Sequence, residues 1–485
     1  MEDTMQEKAG AQISRKAFIQ SAGILLVLMI IAGILTRVIP AGSYERALMD
    51  GREVVLPETF QSIESPGYPV WRWFTAPVEV LAGPDGLSVI MIIVFILLVG
   101  GAFAVLDGTG ILRASVAGLV RRFAGRKLQL LAVVTLFFML LGALFGVFEE
   151  VVPLIPLMVA LAYSLGWDSL IGLGMSILAT NVGFSAAIAN PFTIGVAQQL
   201  AGLPLFSGAW LRIVIFVVFY AVLLGFLARY ARRIEARPEA SLTFSVDQAL
   251  RARASAGWDR GEVPPHLGAA IRWFLGFVVL ILVVLVAAPF ISGLSSFTLP
   301  LVGILFLIAG LGAGLVSGTG ARATFRALGQ GILGIAPGIV LILMAVSIKH
   351  IVAQGAILDT LLHAATIPFA GTSPLTAVLA AFGVTLLIEI FVASGSAKAF
   401  LLMPILVPLA DLLGLTRQTI VLGYAFGDGF TNMAYPTNAV LLISLGLTVV
   451  SYPVWIRWTA RLWLAILALA VAFLALAVGI GYGPF

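Results

Sequence analysis

Residues 146–156 read GVFEEVVPLIP, with Glu149 and Glu150 side by side between two long apolar runs. A charged side chain at the centre of a bilayer is costly, so such an acid marks a functional site, a buried pair or a misplaced membrane boundary. The rest of the chain decides among the three. Its 485 residues are 61% hydrophobic and only 11% charged, with a mean hydropathy of +1.10. Apolar runs recur at lengths that cross about 30 Å of hydrocarbon. The expected class is an all-α polytopic membrane protein embedded in a lipid bilayer. The absence of cysteine excludes disulfides and thiolate chemistry, and the dispersed His266, His350 and His363 give no metal-ligand spacing. The net charge of +5 comes from arginines beside apolar runs, where they orient the chain in the membrane; nucleic acid is not an expected partner.

Charge placement orders the spans. Lys8, Arg15 and Lys16 precede a first helix at about 18–38, which is too long for a signal-peptide core, and put the amino terminus in the cytoplasm. The acidic, aromatic stretch 40–83 belongs outside, and a helix at 86–106 returns to Arg113, Arg121, Arg122, Arg126 and Lys127. Residues 128–165 follow. Between their two limbs there is no polar loop, only EEVVP, and the second limb (151–165) is short for a span, so a re-entrant hairpin from the cytoplasm is expected. An interrupted helix at 168–200 and a helix at 209–230 lead to a charged linker at 232–268. Helices at 270–290, 297–317 and 331–352 precede a second hairpin, 374–413, which enters from outside with SGSAK (Ser394 to Lys398) at its tip. A broken helix at 418–450 and a last helix at 456–480 leave the carboxyl terminus outside. The total is about nine transmembrane helices and two opposed hairpins.

Aligning Pro156 with Pro404 also aligns Gly166 with Gly414 and sets NVGFSAAIANPFT (181–193) beside GDGFTNMAYPTN (427–438). Each half then reads hairpin, short turn, interrupted helix. The expected organisation is an inverted repeat, with a first repeat at 1–231, a cytoplasmic linker at 232–268, and a linking helix plus second repeat at 269–485. Interrupted helices in matching positions point to a transporter site, because unwound backbone supplies carbonyls and half-helix ends supply dipoles.

FGVFEEVVPLIP, ATNVGFSAAIANPFTIG, VASGSAKAFLLMPILVPLADLLG and FGDGFTNMAYPTN carry a resemblance over nearly the whole chain. Together they resemble the motifs of YfcC-type carriers, within the C4-dicarboxylate anaerobic carrier and arginine/ornithine antiporter-like group, itself similar to the ion transporter superfamily. The resemblance implies a homodimer in the plasma (inner) membrane of a prokaryote, a scaffold and a mobile domain, and an elevator mechanism. It implies a site between the hairpin tips and the helix breaks: Glu149 and Glu150; Thr180, Asn181, Asn190, Pro191 and Thr193; Ser394, Gly395, Ser396 and Lys398; Asp428, Thr431, Asn432, Pro436, Thr437 and Asn438. Relatives with sodium sites place Ser-Asn-Thr clusters at both tips, whereas the first tip here is EEVVP. No cofactor is expected; a coupling Na+, near Asn181 or Asn432, or H+ is.

Plainer readings stand beside these. The adjacent glutamates repel, so one holds a proton unless a cation lies between them, or they form a solvated turn or a helix cap. Lys398 either snorkels from a flexible turn or adds charge to a site made by serine hydroxyls and a half-helix start, and Asp428 is either its partner or a ligand. The Asn and Thr residues of the breaks also serve as caps. Asp107 reads as a turn residue, Glu389, Lys349 and His350 as pairing or snorkelling groups, and GLGAG (310–314) as close packing in an apolar helix. With no Walker A motif, ATP is not the driver. The expected function is secondary active transport of a small solute, an amino acid and in particular a basic one, with a C4-dicarboxylate as the alternative and a channel or intramembrane enzyme further off.

Overall fold

The structure, a computed structural model, describes the chain outside residues 1–14, 50–51, 57, 85, 112–113, 115–124, 249–266, 288–290, 292–296, 367–371 and 484–485. Lys8, Arg113, Arg121 and Arg122, used above to orient the chain, and His266 therefore lie outside the described residues.

The helices are α1 (Arg15–Val38), α2 (Arg72–Glu79), α3 (Gly86–Gly108), α4 (Lys127–Leu140) and α5 (Ile155–Ser164), then α6 (Ser169–Ser185), α7 (Val196–Leu200), α8 (Ala209–Ala236), α9 (Leu267–Ala287) and α10 (Thr298–Val316). They continue as α11 (Ala321–Ile335), α12 (Pro337–Gln354), α13 (Leu358–Thr366), α14 (Pro374–Glu389), α15 (Gly395–Leu412), α16 (Arg417–Phe430), α17 (Ala439–Gly446) and α18 (Tyr452–Gly479). Among the described residues, nine helices are long and apolar enough to cross a membrane. The number matches the expectation but the membership differs. The limbs Lys127–Phe145 and Gly395–Leu412 qualify, while the interrupted helices do not, because each break leaves halves too short to span.

At four places the structure adds to the expected elements or shifts their bounds. The outer stretch carries short strands: β1 (Gly42–Ser43) pairs antiparallel with β4 (Gln61–Ser62), and β2 (Arg46–Met49) with β3 (Arg52–Val55) in the register Arg46↔Val55. The helix expected at 331–352 begins earlier, with α11 and α12 meeting at Ala336 and Pro337, where proline withholds an N–H from the ladder. Helix α13 was not anticipated. Lastly, the linker does not start at 232. Helix α8 continues to Ala236, and the next residues dock on the start of α6: Asp247 accepts from Ser169 N (3.0 Å), Thr243 Oγ1 (2.7 Å) and Tyr163 OH (2.8 Å), while Ser241 Oγ donates to Asp168 (2.7 Å). Charge content suggested a cytoplasmic linker; hydroxyls that satisfy buried carboxylates clamp its first residues to the start of α6.

Packing sorts the helices into two groups. In one, α3 packs on α10 and α11, α9 on α10, and α1 and α2 on α12. Small residues permit the approach: a Cβ on Gly310 would lie 2.8 Å from Ala102 O, and one on Gly331 2.5 Å from Gly100 O. This is the close packing expected of GLGAG. In the other group, α4 and α5 flank α6, and α14 and α15 flank α16. Lys127 Nζ donates to Leu165 O (2.7 Å), so the segment 127–165 leaves and returns to one end of the molecule. That end also holds Asp168, Glu235 and Asp247, with Trp167 Nε1 donating to Glu235 (2.9 Å). The opposite end gathers Ala201, Gly208, Arg417, Gln418 and Tyr482. The first interrupted helix thus runs from one end to the other. The second starts where the first finishes, and Trp458 beyond it packs against Tyr230 at the original end, ring centroids 5.4 Å apart.

Candidate functional site

Inside hydrocarbon no water is available for backbone groups freed by a helix break, so the protein must supply partners. At the first break, residues 186–190, Asn190 Oδ1 accepts from Phe192 N (2.9 Å) and Thr193 N (3.3 Å), and Pro191 opens the next turn where its missing N–H costs nothing. Ile188 N and Ala189 N both donate to Ala143 O (2.9 and 3.0 Å), tying the break to the first tip. Arg212 Nε, from α8, donates to Ile188 O (2.9 Å). At the second break, residues 431–438, Asn438 Oδ1 caps α17 through Val440 N (3.0 Å) and Leu441 N (3.4 Å), and Asn438 Nδ2 donates to Asn432 Oδ1 (2.8 Å). Trp455 Nε1 and Tyr452 OH of α18 donate to Met433 O and Ala434 O, each at 2.7 Å. The capping role expected of Asn190 and Asn438 is therefore real.

Both hairpin tips meet the segment that follows the first break. At tip 1, Gly146 has φ +66°, and a Cβ there would lie 2.3 Å from Asn190 Oδ1, so both conformation and space require glycine. At tip 2 the same holds through space alone: a Cβ on Gly395 would lie 2.8 Å from Asp428 Oδ2 and 2.9 Å from Thr193 Cγ2. Tyr424 OH donates to Gly395 O, fastening tip 2 to α16. The interrupted helices cross where a Cβ on Gly429 would meet Ser185 Cα at 2.5 Å.

Beneath tip 2 lies an ionic cluster. Lys398 pairs with Glu389 at the end of α14 and with Asp428 of α16 (2.9 Å to Oδ1), the side chains being 0%, 1% and 1% exposed. Lys398 is thus neither snorkelling nor free to lend its charge elsewhere. Among the described residues, Asn181 Oδ1 and Nδ2, Asn190 Nδ2, and the hydroxyls of Thr193 and Thr437 are buried without a hydrogen-bond partner. Thr180 spends its hydroxyl on Ser176 O one turn back (3.1 Å), Ser394 is exposed at the tip, and Ser396 is half-buried. Among the described residues no group of three or more His, Cys, Asp or Glu is arranged to hold a metal.

Glu149 and Glu150 are placed differently from expectation. They are half-buried and begin a tight turn, Glu149–Leu154, with Glu150 accepting from Phe148 N (3.2 Å). Glu150 borders a small cavity lined by Pro153, Val278, Ile281, Val302 and Phe306, toward α9 and α10. No interaction among the described residues joins them to Lys398. The turn at Gly146 presents residue 190 to the tip before the acids are reached, and Glu150 borders the other packing group. Two residues were undervalued by sequence reading. Glu389 read as a pairing group on a limb, and only folding of the hairpin brings it to Lys398. Arg212 read as one of many helix-flanking arginines; its only signal was a charge a turn inside an apolar run.

Opposed interrupted helices, two tips that touch a break and a dry ionic cluster define a polytopic membrane transporter. The family model described as the C4-dicarboxylate anaerobic carrier matches residues 18–479. The chain belongs to that family, and it is a transporter rather than an enzyme. It is 30% identical over 472 residues to the Escherichia coli protein named "Putative basic amino acid antiporter YfcC", covering 90% of this chain and 92% of that one. An uncharacterized Haemophilus influenzae protein is 25% identical over 412 residues, 84% of this chain and 78% of that one. Among solved structures, the Alcanivorax borkumensis YdaH transporter (21% identity, 96% of this chain and 99% of that one, TM-score 0.43) and Neisseria gonorrhoeae MtrF (18%, 95% of each, TM-score 0.44) are similar over the full length.

Proposed function

We propose that the chain is a secondary active transporter of a basic amino acid, taken up or exchanged across the inner membrane, with the tips and breaks as its binding site. The observation that carries this reading is charge: the two tips and the cluster below the second present four carboxylates, Glu149, Glu150, Glu389 and Asp428, against one ammonium, Lys398. Such a set suits a cationic solute, while the unpartnered amide and hydroxyl groups of Asn181, Asn190, Thr193 and Thr437 suit its amino and carboxylate groups. The name of the E. coli relative points the same way. The opposed course of the interrupted helices supports an inverted repeat, and the Lys127–Leu165 contact supports a re-entrant first hairpin. The two packing groups are suited to act as scaffold and mobile domain of an elevator. A homodimer, an ion gradient or exchange as driver, and sodium near Asn181 or Asn432 complete the proposal, resting on the family resemblance.

The family's description favours a second reading, a C4-dicarboxylate. It requires the carboxylates to be protonated, with Lys398 as anchor. Thermal unfolding of the purified protein with amino acids and dicarboxylates separates the two, because a ligand at 100 times its Kd stabilises the native state by about 2.7 kcal/mol. Arginine, ornithine or lysine is expected to raise the melting temperature; a rise with succinate or fumarate alone overturns the basic amino acid assignment.

A further inference from the structure

The cluster under tip 2 does not balance. Glu389 and Asp428 carry two negative charges when ionised and Lys398 one positive charge, in a place closed to water on every side chain. An uncompensated buried charge is strongly unfavourable, and the simplest remedy is one more positive charge. The second oxygens, Glu389 Oε1 and Asp428 Oδ2, meet no donor among the described residues, so acceptor capacity stands open on both acids. Asp428 Oδ2 lies against Gly395 at the tip, where the neighbouring Ser394 and Ala397 are exposed. Gly395 therefore stands between the open oxygen and the exposed residues of the tip. Of the elements packed on the cluster, α16 adds one more titratable group, Tyr424, whose hydroxyl is committed to Gly395 O, and the segment after the first break adds the neutral Thr193.

We propose that Glu389, Lys398 and Asp428 form a proton-exchange site that holds one proton between its two carboxyl groups while Lys398 stays charged. On release, the carboxyl O–H bond breaks, the proton passes to water at the Ser394 side of tip 2, and the carboxylate left behind is free to pair with an arriving cation. On reloading, water returns the proton and the cation leaves. Charge in the cluster is the same in both states. The site itself stands on the geometry of the cluster; its coupling to transport rests on the reading of tip 2 as part of the binding site.

Infrared difference spectroscopy of the purified protein across a pH series tests this without any substrate. The wild type is expected to show a carboxylic C=O band of buried character that shifts in heavy water and is lost as pH rises. Glu389→Gln and Asp428→Asn, each leaving one carboxylate to balance Lys398, are expected to lose that band; either serves if the other does not fold. Lys398→Met, which leaves two acids without a cation, is expected to gain about one further band of equal intensity. Glu149→Gln/Glu150→Gln should leave the band in place. Bands unchanged in both Glu389→Gln and Asp428→Asn overturn the proposal; a band removed at fixed pH by sodium chloride but not potassium chloride supports it and makes sodium the arriving cation. Adding arginine is a separate arm: loss of the band supports coupling to a cationic solute, whereas a band that persists with arginine but disappears with another solute leaves the proton site standing and removes the basic amino acid.

Discussion

At the scale of single residues, position in the tips governs what a charge can do. Asp107 lies in the last turn of α3 rather than in the turn after it, while Glu150 borders the interface between tip 1 and helices α9 and α10. Glu150→Gln is accordingly expected to reduce arginine uptake into liposomes several-fold and Asp107→Asn to leave it near wild type. Equal uptake by the two variants would take tip 1 out of the site. A second prediction concerns the outer segment. Hydrogen bonds from Arg72 (Nη2 to Oε2, 2.6 Å) hold the Glu79 carboxyl at a pKa of about 2, well below its ordinary 4.5. The native state therefore binds this proton less readily than the unfolded chain does. The stabilisation is complete above pH 4.5 and is lost as pH falls toward 2. Melting temperatures of wild type and Glu79→Gln should differ at neutral pH and converge below pH 4.5; a constant gap would assign the effect to packing instead.

Among elements, the decisive contacts are backbone to backbone. Helices α4 and α6 approach so closely that a Cβ on Gly183 would lie 1.9 Å from Met139 O, and one on Gly142 2.1 Å from Thr180 O. Small residues at such crossings replace the hydrophobic drive that lipid cannot supply between helices. Gly183→Ala is expected to destabilise by about 1–3 kcal/mol, the usual cost of overpacking, and to loosen hairpin 1 from the first interrupted helix. Gly383 in α14 has open space at the same position, and Gly383→Ala is expected to be neutral or to gain up to about 1 kcal/mol from helix propensity. Thermal unfolding of the two variants checks both; similar values would mean that α4 and α6 separate without strain. The interrupted helices themselves were readable from Asn-Pro and Pro-Thr-Asn. The groups that hold the breaks open, Arg212, Trp455 and Tyr452, were not, because each reaches back from a following helix to a backbone carbonyl, which leaves no mark in the sequence.

Taken whole, the molecule has two ends defined by hydrogen bonds between distant segments, and the charge pattern of the sequence predicts which end faces the cytoplasm. The chain has no cysteine, so single cysteines report cleanly. Arg126→Cys and Ser164→Cys, flanking hairpin 1, are expected to react with a membrane-impermeant maleimide from the cytoplasmic side; Ser373→Cys and Asp411→Cys, flanking hairpin 2, from the outside. Ala393→Cys at tip 2 should react from outside and more slowly. Rapid reaction of Ala393→Cys from the cytoplasm would replace the second hairpin by two full crossings.

By itself, the sequence determined the class, most of the helices and the two breaks, because hydropathy, proline, glycine and capping asparagine act locally and through a solvent that allows little else. Nine apolar spans were expected and nine are found among the described residues, but Lys127–Phe145 and Gly395–Leu412 stand among them in place of the interrupted helices. Tertiary structure alone decided the ionic partners. Glu389 and Lys398 stand on opposite limbs of a hairpin and Asp428 on the next helix, so their common burial depends on three backbones meeting at Gly395. It also decided that Glu150 borders a cavity toward α9 and α10, and that the start of the linker is a clamp on Asp168 and Ser169. A charge in a sequence carries no record of which distant carboxylate, hydroxyl or carbonyl will compensate it; in a medium without water, that partner sets its chemistry.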